Sequence, residues 1–261
     1  MGDFERMNRY TFRWNLSPSL SVEYSISVPP FEVVAYDHAL ALSTSGNSAD
    51  ETNLLQQADR VAHDLIRGFS YELGKRFEIT DCTQQSSDGS VTVFPAGVDA
   101  VSACGTAGFE QQDSAGNVVD SSAMQRERER EAGQKRLSDL TKRVARDADL
   151  RDMLDYWSRY VADTDGRLHP LYDVLQAAER YFARSKKPPE ERRRKARETA
   201  ANELGIDLGE LNLLGDVTND PELVNGRHPG LSQGRHRVAS AVEVANCERI
   251  ARAIIDKMSR R

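Results

Sequence analysis

The chain has 261 residues, 39% hydrophobic and 29% charged, enough for one large domain or two small ones that fold without disulfide staples. It contains no apolar run of about 18 residues and no basic patch leading into an apolar leader, which argues against membrane insertion and secretion. The net charge of −6 hides an asymmetry: cut at Asp120, the first part carries −10 and the second +4, so an anionic partner is expected to bind the second.

The three cysteines, Cys82, Cys104 and Cys247, share no CxxC or metal-ligand spacing. Neither a disulfide framework nor a metal site is expected, no cofactor is implied, and a reducing cytoplasm fits best.

From Tyr10 to Val28 apolar side chains recur at every second position: Phe12, Trp14, Leu16, then Val22, Tyr24, Ile26 and Val28. That period predicts two half-buried strands, with Ser17-Pro18-Ser19 as the turn between them. After Pro29-Pro30, the Val- and Ala-rich segment Phe31 to Leu42 predicts a further strand or pair. Ser48-Ala49-Asp50-Glu51 is a capping box, in which a hydroxyl and a carboxylate satisfy backbone N–H groups at a helix start. Leu54, Ala58, Val61, Ala62, Leu65, Ile66, Phe69 and Leu73 follow at three- and four-residue steps, on one face of a long helix. Returning strands are expected at Phe77 to Ile79 and Ser90 to Phe94, around a turn at Ser86 to Gly89. Strands, helix, strands make a small α+β domain over residues 1–96.

Residues 97–122, rich in Gly, Ser, Ala, Asp and Gln, read as a linker or an exposed hairpin. An all-helical bundle of about five helices is expected over residues 123–261. A second capping-box pattern at Ser122 to Gln125 opens a long helix, with a bend allowed, which runs through Leu137, Leu140, Val144, Leu150, Leu154, Trp157 and Val161. The Arg/Glu alternation of Arg126 to Glu131 is a solvated helix face. Later helices are expected around Leu171 to Phe182, from Pro188-Pro189 to Leu204-Gly205, around Leu208 to Leu214 with a cap from Asp207 to Glu210, and from Ala239 to Met258.

Two Gly-Arg-His tripeptides sit eight residues apart between the last two helices, in Asn225 to Gly230 and Gly234 to Arg237. Arg forks onto phosphate oxygens, His changes charge near neutrality, and Gly permits close backbone approach. Arg227, His228, Arg235, His236 and Arg237 are therefore the candidate nucleic-acid-binding residues, with a phosphate or RNA backbone as the ligand. The alternative is that these groups cap carbonyls or pair with the acidic first part.

The helical part resembles HEPN domains, helical modules of bacterial toxin, abortive-infection and RNA-processing proteins. The resemblance rests on Tyr156-Trp157, on Leu171 to Leu175 with Glu179 and Tyr181-Phe182, and on Asn219-Asp220 ahead of Arg227-His228 before a closing helix. It covers about residues 150–261. It implies a helical bundle, frequent homodimerisation, a setting in defence or stress response and, in active members, a metal-independent endoribonuclease. There an Arg-x4-6-His motif acts across a dimer, His assisting transfer from the ribose 2′-hydroxyl and Arg stabilising phosphate charge. In this chain Arg227 and His228 are adjacent, and no Arg stands five to seven positions before His228 or His236. The resemblance thus implies a degenerate member that binds RNA or a protein partner; if active, His228 and His236 are the catalytic candidates.

Ala201 to Ile206 with Leu211 and Leu214 also resembles a DNA-binding helix-turn-helix, whose helices cross closely at a small Ala and a turn Gly. Its would-be recognition helix holds Asp207, Glu210 and Asp216 and no Lys or Arg, so DNA is the weaker partner; Arg192 to Lys195 are the residues left to touch a backbone. No GxxxxGK[ST], HExxH or GxSxG occurs, nor GxGxxG after a strand, and His38, His63 and His169 stand alone.

Overall fold

A computed structural model of the chain describes residues 8–46, 51–86, 91–94, 121–183, 189–227 and 237–261. The α+β expectation holds: four strands, β1 (Asn8–Val28), β2 (Phe31–Gly46), β3 (Glu78–Ser86) and β4 (Val91–Phe94), form an antiparallel sheet in the order β2-β1-β3-β4.

The apolar alternation from Tyr10 to Val28 builds one strand where two were expected. Ser17-Pro18-Ser19 makes no turn; it is an irregularity inside β1, where pairing with β2 lapses between Asn15 and Leu20. Proline has no N–H to give to a ladder and is tolerated where the ladder is already broken. The register on either side of the lapse differs by an odd number of residues, which turns the opposite set of β2 side chains inward. Phe31, Val33 and Ala35 are buried before the shift, Leu40, Leu42 and Thr44 after it. Asp37, between them, takes a positive φ of 52°. Asp81 does the same on β3, with φ 46°, where Trp14 pairs with Cys82 but Asn15 with Thr80; it is the extra residue of a bulge. Tyr10, Phe12, Trp14 and Leu16 are all buried, and Phe12 meets Phe31 edge to face, centroids 6.4 Å apart.

Helix α1 (Glu51–Leu73) buries Ala58, Ala62, Leu65, Ile66 and Phe69, as the three- and four-residue steps predict; Ser48 to Asp50 of its expected capping box lie outside the described residues. So do residues 97–120 and the turn residues Ser87 to Gly89.

The helix expected from Ser122 to Val161 is two helices, α2 (Ser121–Val144) and α3 (Ala148–Ala162). The break is built by Asp147, whose carboxylate accepts from the Leu150 N–H as the N-cap of α3; a short side-chain acceptor competes with the backbone for those donors and starts a helix afresh. Helices α4 (His169–Phe182), α5 (Pro189–Leu204), α6 (Leu208–Asn219) and α7 (Ala241–Met258) complete the chain. The cap of α6 is Asp207, which accepts from Glu210 N–H, and a full capping box between Ser240 and Glu243 starts α7.

By internal contacts the chain divides into two compact units, one of residues 1–66 and 77–142, the other of residues 67–76 and 143–261. In the second unit Leu150, Trp157, Leu171, Val174, Leu175, Ile250 and Ile254 are fully or almost fully buried. Trp157 is packed edge to face against Tyr71, centroids 5.7 Å apart, with the Arg252 guanidinium 4.6 Å above its ring. The Tyr71 hydroxyl donates to Asp256 at 2.7 Å and the Tyr160 hydroxyl to Glu248 at 2.7 Å. Burial, then the hydrogen-bonded carboxylate, raises both phenols above the ordinary tyrosine value. Among the described residues no helix is long and apolar enough to cross a membrane.

Candidate functional site

The segment joining α6 to α7 is pinned at both ends by backbone geometry. Val224 N–H donates to Arg237 O at 3.0 Å and Arg237 N–H donates to Glu222 O at 2.9 Å, so the chain leaves and returns at the same place. Asn225, 7% exposed, is the hub. Its amide donates to Gly166 O at 3.0 Å, its side-chain oxygen accepts from Ala239 N–H at 3.1 Å, and its backbone oxygen accepts from Leu168 N–H at 2.8 Å. Gly226 follows because a Cβ there would come within 3.3 Å of Leu223 and of the Asp220 carbonyl.

Of the five candidate residues, Arg227 and Arg237 are described, and their side chains do different work. Arg237 forks onto both oxygens of Glu243, each at 2.8 Å, and also reaches Asp220 at 3.0 Å. Glu243 is at once the capping-box carboxylate of α7. The Arg237 hydrogen bonds, then those from Ser240, pull the Glu243 carboxyl down to about 2, and the same pairing raises Arg237 further above its ordinary value. Two carboxylates therefore answer this one cation, which acts as a clasp. His228, Arg235 and His236 lie outside the described residues.

Arg227 is placed by its backbone N–H, which donates to Thr218 O at 2.7 Å. Its guanidinium lies over the ring of Tyr172 on α4, 4.6 Å from the centroid, and no carboxylate among the described residues is within ion-pair distance of it. The pair stands at a cleft of about 380 Å³ within the second unit, walled by α4, α5 and α6. That lies within the ~300–1,000 Å³ typical of small-ligand sites. The α4 wall presents Gln176 and Glu179 below Tyr172; the opposite walls present Arg197 and Asn212. Arg197 donates through Nε to Glu179 at 2.6 Å and through Nη1 to Asn212 Oδ1 at 3.2 Å. The Arg197 guanidinium can lie there because α6 has Gly215 beneath it: a Cβ at that position would be 2.9 Å from Nη1.

In the sequence Tyr172 stood out only as part of the Leu171 to Leu175 family pattern, and Gln176, Arg197 and Asn212 did not stand out at all. The signal was present in the spacing of Tyr172, Gln176 and Glu179, which places three polar groups on one stripe of α4, and in a glycine inside α6, which marks close approach.

The helix-turn-helix positions behave as packing residues. Ala201, Leu204, Ile206, Leu211 and Leu214 are buried, and α5 ends in a Schellman turn: Ile206 N–H to Ala201 O, Gly205 N–H to Asn202 O, and Gly205 at φ +61°. Glu210 on α6 pairs with Arg249 at 2.7 Å. The isolated histidines have local partners: His38 contacts Leu16 O, His63 contacts Asp59 O, and His169 is 3.5 Å from Asp173. Among the described residues no group of three or more His, Cys, Asp or Glu is arranged to hold a metal ion. Burial pushes the Cys82 thiol up to about 11 and the Cys247 thiol up to about 12, which keeps both protonated and unreactive.

In comparisons with known proteins, no family model matches the chain, and no curated protein or solved structure does either.

Proposed function

We propose that this chain is a HEPN-like, cytoplasmic RNA-binding protein whose second unit takes single-stranded RNA at the Arg227 cleft. One observation carries the reading: the Arg227 guanidinium lies over Tyr172 where both line a polar cleft, and among the described residues no carboxylate forms an ion pair with it. A guanidinium beside an aromatic ring offers N–H donors to phosphate oxygens and planar surfaces for stacking, the two contacts that bind unpaired RNA. The two partners come from the two segments that carry the HEPN resemblance, around Tyr172 and around Arg227. Cys82 and Cys247, buried and unpaired in disulfides, fit a reducing compartment.

Duplex DNA is the weaker ligand. The first turn of α6 is acidic, with Glu210 engaged by Arg249, and a helix entering the major groove needs donors for phosphate and guanine.

The test is fluorescence anisotropy at low salt with a labelled single-stranded RNA and a duplex DNA of equal length. Stronger binding to the RNA, lost on Arg227→Ala, is expected; equal or stronger binding to DNA, or no change on Arg227→Ala, overturns the proposal. Incubating the RNA without metal ions decides the endoribonuclease alternative, because cleavage would have to disappear in His228→Ala or His236→Ala.

A further inference from the structure

Resting on that reading, we infer that the cleft beside Arg227 is a slot for one nucleobase, drawn out of the RNA strand and held by its edge and its face. The Arg227 Cζ stands 4.6 Å from the Tyr172 ring centroid and both side chains line the cleft, so a planar cation and an aromatic ring stand together beside a ligand-sized space. Unstacked bases lie on such guanidinium planes, and their edges are read by side-chain amides.

The interior has the matching chemistry. Gln176 lines the cleft and its side chain makes no hydrogen bond among the described residues, leaving an amide donor and acceptor within reach of an occupant. Asn212 uses its oxygen for Arg197 Nη1 and keeps its N–H2 donors. Arg197 and Glu179 are joined at 2.6 Å, with side chains only 22% and 14% exposed, so this buried part of the lining is polar and its two charges cancel. Glu198 also lines the cleft, so its charged side chains, Arg197 and Arg227 against Glu179 and Glu198, sum to zero. A neutral lining with amides to spare suits a flat, hydrogen-bonding group; a free phosphate would face two carboxylates there, and an apolar ligand would leave the amides unpaired.

Gly215 is a positioning residue for this slot. It does not reach the cleft, but it lets the Arg197 guanidinium lie against α6 and so holds Glu179 and Asn212 in place.

Free nucleosides separate the base slot from phosphate binding because they carry no phosphate. Saturation-transfer NMR on the full chain is run with adenosine, guanosine, cytidine and uridine, and with ribose 5-phosphate. At least one nucleoside is expected to bind more tightly than ribose 5-phosphate, with Gln176→Leu weakening it about tenfold while circular dichroism shows the fold retained. Asn212→Leu, on the exposed side of α6, is the second variant and moves the same way. If ribose 5-phosphate binds as well as every nucleoside and neither variant discriminates, the slot is wrong while the RNA reading stands. If neither the small ligands nor single-stranded RNA bind, both fall.

Discussion

The Cζ of Arg227 lies 4.6 Å from the centroid of the Tyr172 ring, joining the segment after α6 to the face of α4. Such a contact is worth about 0.5–2 kcal/mol, a small share of any fold's stability, and it places a cation beside a cleft.

Replacing Arg227 with alanine is therefore expected to leave thermal stability nearly unchanged and to weaken RNA binding at all sequences, lowering the slope of log affinity against log salt by about one. Arg227→Lys keeps the charge but not the planar, forked guanidinium, and should retain the salt slope while losing affinity. Anisotropy titrations at three or more salt concentrations read both effects.

Arg237 predicts a different phenotype from its neighbour. The Glu243 carboxyl that it holds has a folded value near 2 against an ordinary 4.5, so its contribution to the clasp is present above the ordinary value and lost as pH falls through the folded one. Amide hydrogen exchange at Val224 and Arg237, whose N–H groups close the base of the segment, should be faster in Glu243→Gln than in wild type at pH 6. The difference should shrink below about pH 4.5 and vanish near pH 2. A difference that grows on acidification would contradict the assignment.

Asn225 is the structural centre of the loop base, and its replacement is expected to be costly. Asn225→Ala leaves the buried Ala239 N–H and the Gly166 carbonyl without their side-chain partner, a loss of about 1–3 kcal/mol. Asn225→Asp is no rescue, because it sets a carboxylate oxygen against the Gly166 oxygen. Denaturation monitored by Trp157 fluorescence, a core residue of the same unit, should show both variants destabilised.

Gly215→Ala tests positioning apart from stability. Alanine gains roughly 0.5–1 kcal/mol over glycine inside a helix, and the atoms it crowds are the end of a flexible arginine. Stability equal to or above wild type is expected, together with weaker nucleoside binding as Arg197 moves off Glu179 and Asn212. Loss of both stability and binding would make Gly215 a packing residue only.

Local signals carried far in this chain. Asp207, Gly205 and the apolar steps of α4 and α7 gave helix positions because caps and 3.6-residue periodicity act within one or two turns. The β1 alternation placed Phe12, Trp14, Leu16, Ile26 and Val28 in the core but not Val22, which is exposed, and Pro18 suggested a turn where the structure has a bulge: register is decided by the partner strands, which one strand's sequence does not contain. The same limit applies to the site. Arg227 and Arg237 are both candidate cations of one Arg- and His-rich segment, and only the positions of Tyr172, Asp220 and Glu243 separate a cation at a cleft from a structural clasp. Arg197 was illegible because its meaning depends on Glu179 and Asn212, which sit on two other helices.

The most direct measurement is photocrosslinking of single-stranded RNA containing 4-thiouridine to the full chain, followed by mass spectrometry of the peptides. The account predicts adducts concentrated on the peptide of Tyr172 and Gln176 and on the segment around Arg227, and their loss in Arg227→Ala. Adducts confined to residues 8–46, or unchanged by that substitution, would contradict it.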